Sequence, residues 1–336
     1  MGAPTDAVEW EGVARLPLAH LPTPLERAPR LAEAMGLEDL WVKRDDATGG
    51  PEAGNKIRKL EFLLADALTR GCDTVITCGG LQSNHARATA VLAARLGLNA
   101  ILMLRDADPG SALTLEGNVL VDHLVGADIR RVSREDYGRR DALMADWAAE
   151  LRASGRVPYV IPEGGSNGLG ALGYLRAMDE TRAQLDALGL APLDVVVHGC
   201  GSGGTAAGVV LGAKRYRVAE RLIAFAVCDD APTFERRIAS IVDEAQALVP
   251  GSDTRTPFAI DERGKGPAYG VSTPAQRDDM VTTARLSGLV LDPVYSGKAL
   301  HGLWQRCRNG DLSGARVLFI HTGGLPGLLA QASTFG

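Results

Sequence analysis

The chain is expected to be an α/β protein with parallel sheets covered by helices on both faces. Two observations lead there. Short apolar runs of strand length alternate with longer amphipathic segments along most of the chain. Polar, glycine-rich loops follow several of those runs and lead into helices, as at the carboxyl ends of parallel strands.

Taken in order, residues 40–43 (LWVK) read as a strand. Residues 59–70 (KLEFLLADALTR) read as a helix, with apolar Leu60, Leu63, Leu64 and Ala67 at helical spacing, and Gly71 ends it. Residues 74–77 form a buried strand, 86–96 a helix, 100–104 a strand and 117–126 hold a helix. Residues 158–161 are a strand and 170–188 a long helix; 194–198, 222–228 and 316–321 are further strands. Residues 71–162 read as a compact α/β unit. The later strands build a second sheet with the N-terminal segment, leaving a cleft suited to a cofactor. The stretch 231–267 reads as a helix plus a loop near the cleft mouth.

Composition narrows the partners. A chain of 336 residues, 46% hydrophobic, has room for one large or two medium domains. With 36 basic and 41 acidic side chains the net charge is −5, which argues against nucleic acid. Apolar stretches are interrupted before about 18 residues, so no membrane span is expected. Residues 1–11 lack a basic region followed by an apolar core, so no signal peptide is expected. Cys72, Cys78, Cys200, Cys228 and Cys307 form no CxxC pair, which predicts reduced thiols in a cytoplasmic protein and no metal site.

Four clusters carry chemistry. In Gly54-Asn55-Lys56-Ile57, Gly54 and Asn55 allow special backbone angles, and a helix start would lower the amine pKa of Lys56 and keep it nucleophilic. In Gly79-Gly80-Leu81-Gln82-Ser83-Asn84-His85, a loop leading into a helix offers N–H groups to a carboxylate. Ser83, Asn84 or His85 serve equally as N-caps.

Gly199-Cys200-Gly201-Ser202-Gly203-Gly204-Thr205 lets backbone approach a phosphate at a helix start. The same stretch fits GxGxxG, so a dinucleotide site with Asp229 or Asp230 as ribose partner stays open. The last cluster joins Leu291-Asp292-Pro293-Val294-Tyr295-Ser296-Gly297-Lys298 to His321-Thr322-Gly323-Gly324, whose glycines suggest close approach to a bulky group. Tyr295 as a half-buried aromatic and Thr322 as a turn cap are the plainer alternatives.

In this order and spacing the clusters resemble the fold type II pyridoxal-phosphate (PLP) enzymes, in the branch of D-cysteine desulfhydrase and 1-aminocyclopropane-1-carboxylate (ACC) deaminase. The segments that carry the resemblance run from residue 21 to 324: LPTPLERAPRLAE, LWVKRDDATGG, GNKIRKLEFLLADAL, TCGGLQSNHARATA, EGGSNGLGALGY, GCGSGGTAAG, LDPVYSGKAL and LFIHTGG. The resemblance implies two three-layer α/β domains with parallel-type sheets, as in the tryptophan synthase β-like fold. The large domain would be 1–57 plus 163–336, with 58–162 inserted as the small one. It implies PLP on Lys56, which would also move the α-proton, and Asn84 on the cofactor's 3-hydroxyl oxygen. Lys59 and Gly201, Ser202, Gly203, Gly204 and Thr205 would hold the phosphate, and Thr322 would meet the pyridine nitrogen. Gln82, Ser83, Asn84 and His85 would line the substrate carboxylate pocket, with Tyr269 and Tyr295 facing the substrate. Branch members are commonly cytoplasmic homodimers.

The resemblance also bears on the reaction. ACC deaminases carry a glutamate after the tyrosine matching Tyr295, against the pyridine nitrogen; this chain has Ser296. A neutral partner, Ser296 or Thr322, weakens the electron sink and suits β-elimination with a good leaving group: D-cysteine to pyruvate, sulfide and ammonia. ACC, L-cysteate, D-serine and other β-substituted alanines are the alternatives. The chain has Ala53 before Gly54, and Ala268-Tyr269-Gly270-Val271-Ser272 where the branch often has Gly-Tyr-Gly-x-Pro. A nicotinamide-dependent dehydrogenase is the rival class, and it leaves 54–61 and 82–85 unexplained.

Overall fold

The structure is a computed structural model and describes residues 7–249 and 254–335. Residues 1–6, part of the signal-peptide reading, and 250–253, part of the 231–267 stretch, lie outside the described residues. The chain starts with the antiparallel pair β1 (Val8–Trp10) and β2 (Val13–Arg15). Next come β3 (Leu25–Arg27), α1 (Pro29–Met35), β4 (Asp39–Lys43) and α2 (Lys56–Thr69). A four-stranded unit follows: β5 (Thr74–Gly80), α3 (Asn84–Leu96), β6 (Asn99–Arg105), α4 (Gly117–Leu124), β7 (Asp128–Val132), α5 (Arg134–Gly138), α6 (Arg140–Ala153) and β8 (Pro158–Val160). The return passes through α7 (Gly168–Ala187), β9 (Leu193–Cys200), α8 (Gly204–Gly212), β10 (Ala219–Ala226), α9 (Ala231–Leu248) and β11 (Phe258–Asp261). It finishes with α10 (Pro274–Ser287), α11 (Ser296–Arg308), β12 (Arg316–Ile320) and α12 (Leu325–Leu329).

Besides the β1–β2 pair, the described residues form two larger sheets, ordered β7-β6-β5-β8 and β11-β10-β9-β12-β4-β3. Within these two, every pairing is parallel except β3 with β4. Strand alternation assigns the faces. In β9, Val196 packs with α7, α8 and α9, while Val195 and Val197 pack with α1 and α11. In the smaller sheet, Leu102 and Leu104 face α2 and α3, while Ile101 and Met103 face Tyr137, Met144 and Ala148. Both faces of both sheets are therefore covered. In the larger sheet, β10 and β11 lie on one side of β9 and β12 on the other. The loop after β9 thus opens at the point where strand order reverses, the usual ligand crevice of such sheets.

Helix α2 joins the two units. Its Ile57, Leu60, Leu63 and Leu64 belong to the core of the smaller sheet, and its Phe62 to that of the larger. The proposed division at Arg58 falls within this helix. It starts at Lys56, three residues before the sequence pattern announces it, because the turn ahead is fixed from outside. Gly54 adopts φ +125°, and its N–H donates to Thr48 Oγ1 at 2.8 Å. The Asn55 N–H donates to the Thr322 carbonyl at 3.1 Å. Asn55 itself sits at φ −57°, an ordinary right-handed value, so the special angle belongs to Gly54 alone.

Strand β10 spans Ala219–Ala226 rather than 222–228; its polar Glu220 and Arg221 hide the start. The sequence pattern also misses β1, β2, β3, β7 and β11, short or edge strands with little apolar alternation. Among the described residues no helix is long and apolar enough to cross a membrane. The five cysteines are free.

Candidate active site

Lys56 is the first residue of α2 and is 9% exposed. Its surroundings are shaped by glycine. A Cβ on Gly164 would lie 3.3 Å from Lys56 Nζ and 2.3 Å from Ser202 Oγ, so a side chain there would collide with the pocket wall. Burial pushes the Lys56 amine down to about 8, against the opposing charge of Glu163. The sequence argument invoked the helix start; desolvation is the larger cause. A substantial fraction of this amine is neutral near pH 8, as a nucleophile requires.

The glycine loop after β9 wraps the same cavity. Lys56, Asn84, Gly201, Ser202, Gly203 and Thr205 line it together with Tyr295 and Thr322. A Cβ on Gly201 would lie 2.7 Å from Tyr295 Cε1, and one on Gly204 2.8 Å from Lys59 Nζ. Gly203 takes φ +91° at the entrance to α8. The first-turn N–H groups of α8 lack intrahelical acceptors, and the helix dipole adds partial positive charge. Lys59 lies beneath Gly204, its ammonium donating to the Gly164 carbonyl and Ser166 Oγ, both at 3.2 Å. Burial, then the charge of Lys56, hold its pKa well below the usual lysine range. Ser166 Oγ accepts the Gly204 N–H at 3.2 Å and meets Ser202 Oγ at 2.8 Å. Asn55 Nδ2 donates to Thr205 Oγ1 at 3.1 Å. Of the suggested ribose partners, Asp229 faces Arg237 at 3.3 Å, and Asp230 caps α9 by accepting the Thr233 N–H.

The 79–85 loop divides its duties. Ser83 caps α3, its Oγ accepting the Ala86 N–H at 3.1 Å, and it also lines the larger cleft beside Lys56. Asn84 Oδ1 accepts from Asn118 Nδ2 at 3.1 Å, which orients the amide at the cavity edge. Gln82 departs from expectation. Its Oε1 accepts the Asn118 N–H at 2.8 Å and its Nε2 donates to the Glu116 carbonyl at 3.1 Å. The side chain is thus spent on the start of α4, because that helix end has no other side-chain cap.

His85 is also constrained. Thr77 Oγ1 donates to the Ile161 carbonyl at 2.9 Å, so it accepts from His85 Nε2–H at 2.9 Å. Nδ1 is then a bare acceptor, buried without a partner among the described residues. Burial, with the charges of Lys56 and Lys59, holds this imidazole well below its ordinary pKa, hence neutral. A bare acceptor repels a carboxylate. As placed, the imidazole offers a carboxylate no donor, whereas the N–H groups of the first turn of α3 are donors.

Tyr269 and Tyr295 meet at the cleft, their hydroxyls 2.7 Å apart. Ser296 stands apart from them. Its Oγ donates to Asp292 Oδ1 at 2.6 Å and accepts the Asp292 N–H at 2.9 Å, and it is buried. Asp292 additionally accepts the N–H groups of Val294, Tyr295 and Ser296, closing the start of α11. Of the two hydroxyls considered for the pyridine nitrogen, only Thr322 lines the cavity.

The sequence reading missed part of the wall. A cleft of about 300 Å³ adjoins Lys56 and is lined by Arg105, Tyr137, Arg140 and Glu163 as well as by the tyrosine pair. Tyr137 donates to Glu163 Oε1 at 2.7 Å, and Arg140 faces Glu163 Oε2 at 3.4 Å. Arg105 closes β6 beside Gly80 at the end of β5. Its place at the carboxyl end of a parallel strand was the available signal.

A buried, partly neutral amine beside a glycine cradle and a helix start whose N-cap residue, Gly203, has no side chain fits an aldehyde carrying a phosphate. Comparison with known proteins agrees. Residues 16–323 match the family described as pyridoxal-phosphate dependent enzyme. The chain is 43% identical over 325 residues to the mitochondrial bifunctional D-cysteine desulfhydrase/1-aminocyclopropane-1-carboxylate deaminase of Arabidopsis thaliana, covering 93% of this chain and 78% of that protein. It is 38% identical over 325 residues to a D-cysteine desulfhydrase of Yersinia pestis, covering 94% and 95%. A crystal structure described as an ACC deaminase homologue superposes with a TM-score of 0.86 at 36% identity, covering 96% of this chain and 95% of that one. The dinucleotide reading of the glycine loop gives way to these matches: the chain belongs to the pyridoxal-phosphate-dependent enzymes, with the fold type II architecture and pyridoxal 5'-phosphate as cofactor.

Proposed function

We propose that this enzyme eliminates the β-substituent of a small amino acid, with D-cysteine giving pyruvate, sulfide and ammonia. The observation that carries the reading is the pair Ser296 and Asp292. With Ser296 bound to Asp292 and buried, Thr322 is the one of the Ser296 and Thr322 hydroxyls that lines the cavity, and it is neutral. A neutral partner leaves the pyridine nitrogen largely unprotonated. That suffices when a good leaving group departs from Cβ, and serves less well for opening a cyclopropane ring.

When bound, the cofactor supplies the electron sink that makes the α-proton removable. The chain supplies geometry and protonation. Lys56 Nζ would anchor the cofactor and, as a neutral amine, take the α-proton. The glycine loop 201–205 and Lys59 would hold its phosphate, Asn84 would bind its ring hydroxyl, and Thr322 would meet its nitrogen. Ser83 and the N–H groups at the start of α3 hold the substrate carboxylate. The neutral tyrosine pair presents an O–H toward the substrate. The reading carries with it the division of the chain at 57/58 and 162/163 and a cytoplasmic homodimer; sedimentation equilibrium, which separates one chain mass from two, tests the dimer.

The experiment is a substrate panel on the purified holoenzyme, scored for keto acid and sulfide, with both enantiomers of cysteine and ACC. The expected outcome is pyruvate and sulfide from D-cysteine at a kcat/KM well above that for ACC. Comparable or faster turnover of ACC would contradict it.

A further inference from the structure

Arg105 is a half-buried cation lining the cleft that the mechanism leaves unused; Arg134, also in the lining, is exposed. The Arg105 guanidinium carbon lies 5.2 Å from the ring centroid of Tyr137 and 5.3 Å from that of Tyr269. Both rings are themselves fixed, Tyr137 through its hydroxyl on Glu163 and Tyr269 through Tyr295. Two aromatic faces therefore hold the guanidinium plane in place, so little side-chain freedom is lost when it takes a ligand. Among the described residues it has no hydrogen-bond or ion-pair acceptor. The carboxylates lining the cleft are already matched: Glu163 faces Arg140 at 3.4 Å and Asp229 faces Arg237 at 3.3 Å. A planar fork of donors, fixed and unsatisfied at the wall of a cavity, is built for an oxyanion.

The α-carboxylate has its own donors at the start of α3, so the anion meant for Arg105 lies elsewhere on the substrate. We infer that Arg105, clasped between Tyr137 and Tyr269, forms the subsite for the β-substituent, and that the substrate class extends to amino acids whose leaving group carries an oxyanion, such as a sulfonate. The inference rests on the elimination reading above, since it assigns the group that departs. D-cysteine, whose sulfur leaves as hydrosulfide, is a weaker occupant of the same place. For a β-sulfonate the α-proton passes to Lys56 Nζ. The Cβ–S bond then breaks with its electron pair on sulfur, releasing sulfite. The three-carbon enamine left behind takes up one water and gives pyruvate and ammonium. No oxidant or reductant is consumed.

The test uses the holoenzyme with both enantiomers of cysteate and, as a substrate with an uncharged β-substituent, β-chloroalanine. Wild type is expected to release pyruvate and sulfite from one cysteate enantiomer. Arg105→Met is expected to lower the ratio of kcat/KM for cysteate over β-chloroalanine by on the order of a hundredfold, and Arg105→Lys to recover part of it. An unchanged ratio would overturn the inference, as would elimination from β-chloroalanine with none from cysteate. A fall in both substrates together would place Arg105 on the α-carboxylate instead. If neither substrate yields pyruvate, the elimination reading fails by itself and calorimetric titration of cysteate decides the subsite. Binding weakened about tenfold or more in Arg105→Met supports it; equal binding, or none to wild type, overturns it.

Discussion

The hydroxyl oxygens of Tyr269 and Tyr295 lie 2.7 Å apart, with ring centroids 5.9 Å apart and planes at 77°. Burial pushes the Tyr269 phenol up to about 12 and the Tyr295 phenol well above its ordinary value. Both are neutral at working pH. One O–H is used in the shared bond, and the other is free to donate into the cleft. Tyr269→Phe and Tyr295→Phe each remove that shared bond and are expected to slow D-cysteine elimination about ten- to a hundredfold. The double variant should fall little below the slower single one, because both substitutions delete the same interaction. Fully multiplicative losses in kcat/KM would show that the two hydroxyls act separately.

The buried Lys56 amine sets a pH dependence. Its pKa of about 8 reflects desolvation, partly countered by the charge of Glu163, which favours the ammonium. Cofactor uptake by the apoenzyme, followed by absorbance, should accelerate with pH and level off above about 8. Glu163→Gln removes the favouring charge, so the midpoint should move to lower pH. A midpoint shifted upward would contradict this electrostatic assignment.

A buried ion network lies behind the site. Arg58 Nη2 lies 2.8 Å from Asp45 and 2.9 Å from Glu180, and Lys43 Nζ lies 2.6 Å from Glu180. Glu180→Ala leaves two buried cations without this partner and is expected to cost about 3–5 kcal/mol in denaturant unfolding. Burial alone would raise the Glu180 pKa, but the charges and hydrogen bonds of Arg58 and Lys43 hold it at about 2, below the ordinary 4.5. The unfolded chain therefore binds the proton first as pH falls. The stability that Glu180 contributes is complete above pH 4.5 and disappears progressively toward pH 2. The variant should show a shallower acid limb than wild type between these values.

Ser296 gives a further check. Its hydroxyl lies 2.6 Å from Asp292 Oδ1 and it is buried. Ser296→Glu sets a second carboxylate against the first, so thermal unfolding should show a loss of about 3 kcal/mol or more. Ser296→Ala, which only deletes the hydroxyl, should cost about 1–2 kcal/mol. A Ser296→Glu variant as stable as wild type would mean that this side chain has room to turn toward the cavity.

Much of the architecture could be read from the chain because its buried parallel strands are continuous apolar runs separated by amphipathic helices. Strand β7 could not: DIRRV lies on an edge and carries charges where a pattern would show. Strand order was equally hidden, since β12 enters between β9 and β4 from far along the sequence. In the site, Lys56, the glycine loop and Ser83 announced themselves because glycine and polar residues cluster locally around them. Arg105 and Tyr137 did not, since their meaning depends on rings and carboxylates brought from other elements. Gln82 and Ser296 looked functional for the opposite reason. Each lies in a conspicuous motif, yet its hydrogen bonds close a helix start.

The central claim is that Lys56 holds the cofactor, and three other buried lysines offer a direct contrast, Lys43, Lys59 and Lys298. Borohydride reduction of the holoenzyme followed by peptide mass spectrometry locates the amine that carries it. The account predicts one reduced pyridoxyl-phosphate adduct, on Lys56, and a protein that loses its visible band in Lys56→Ala. An adduct on Lys43, Lys59 or Lys298, or none on any lysine, would contradict it.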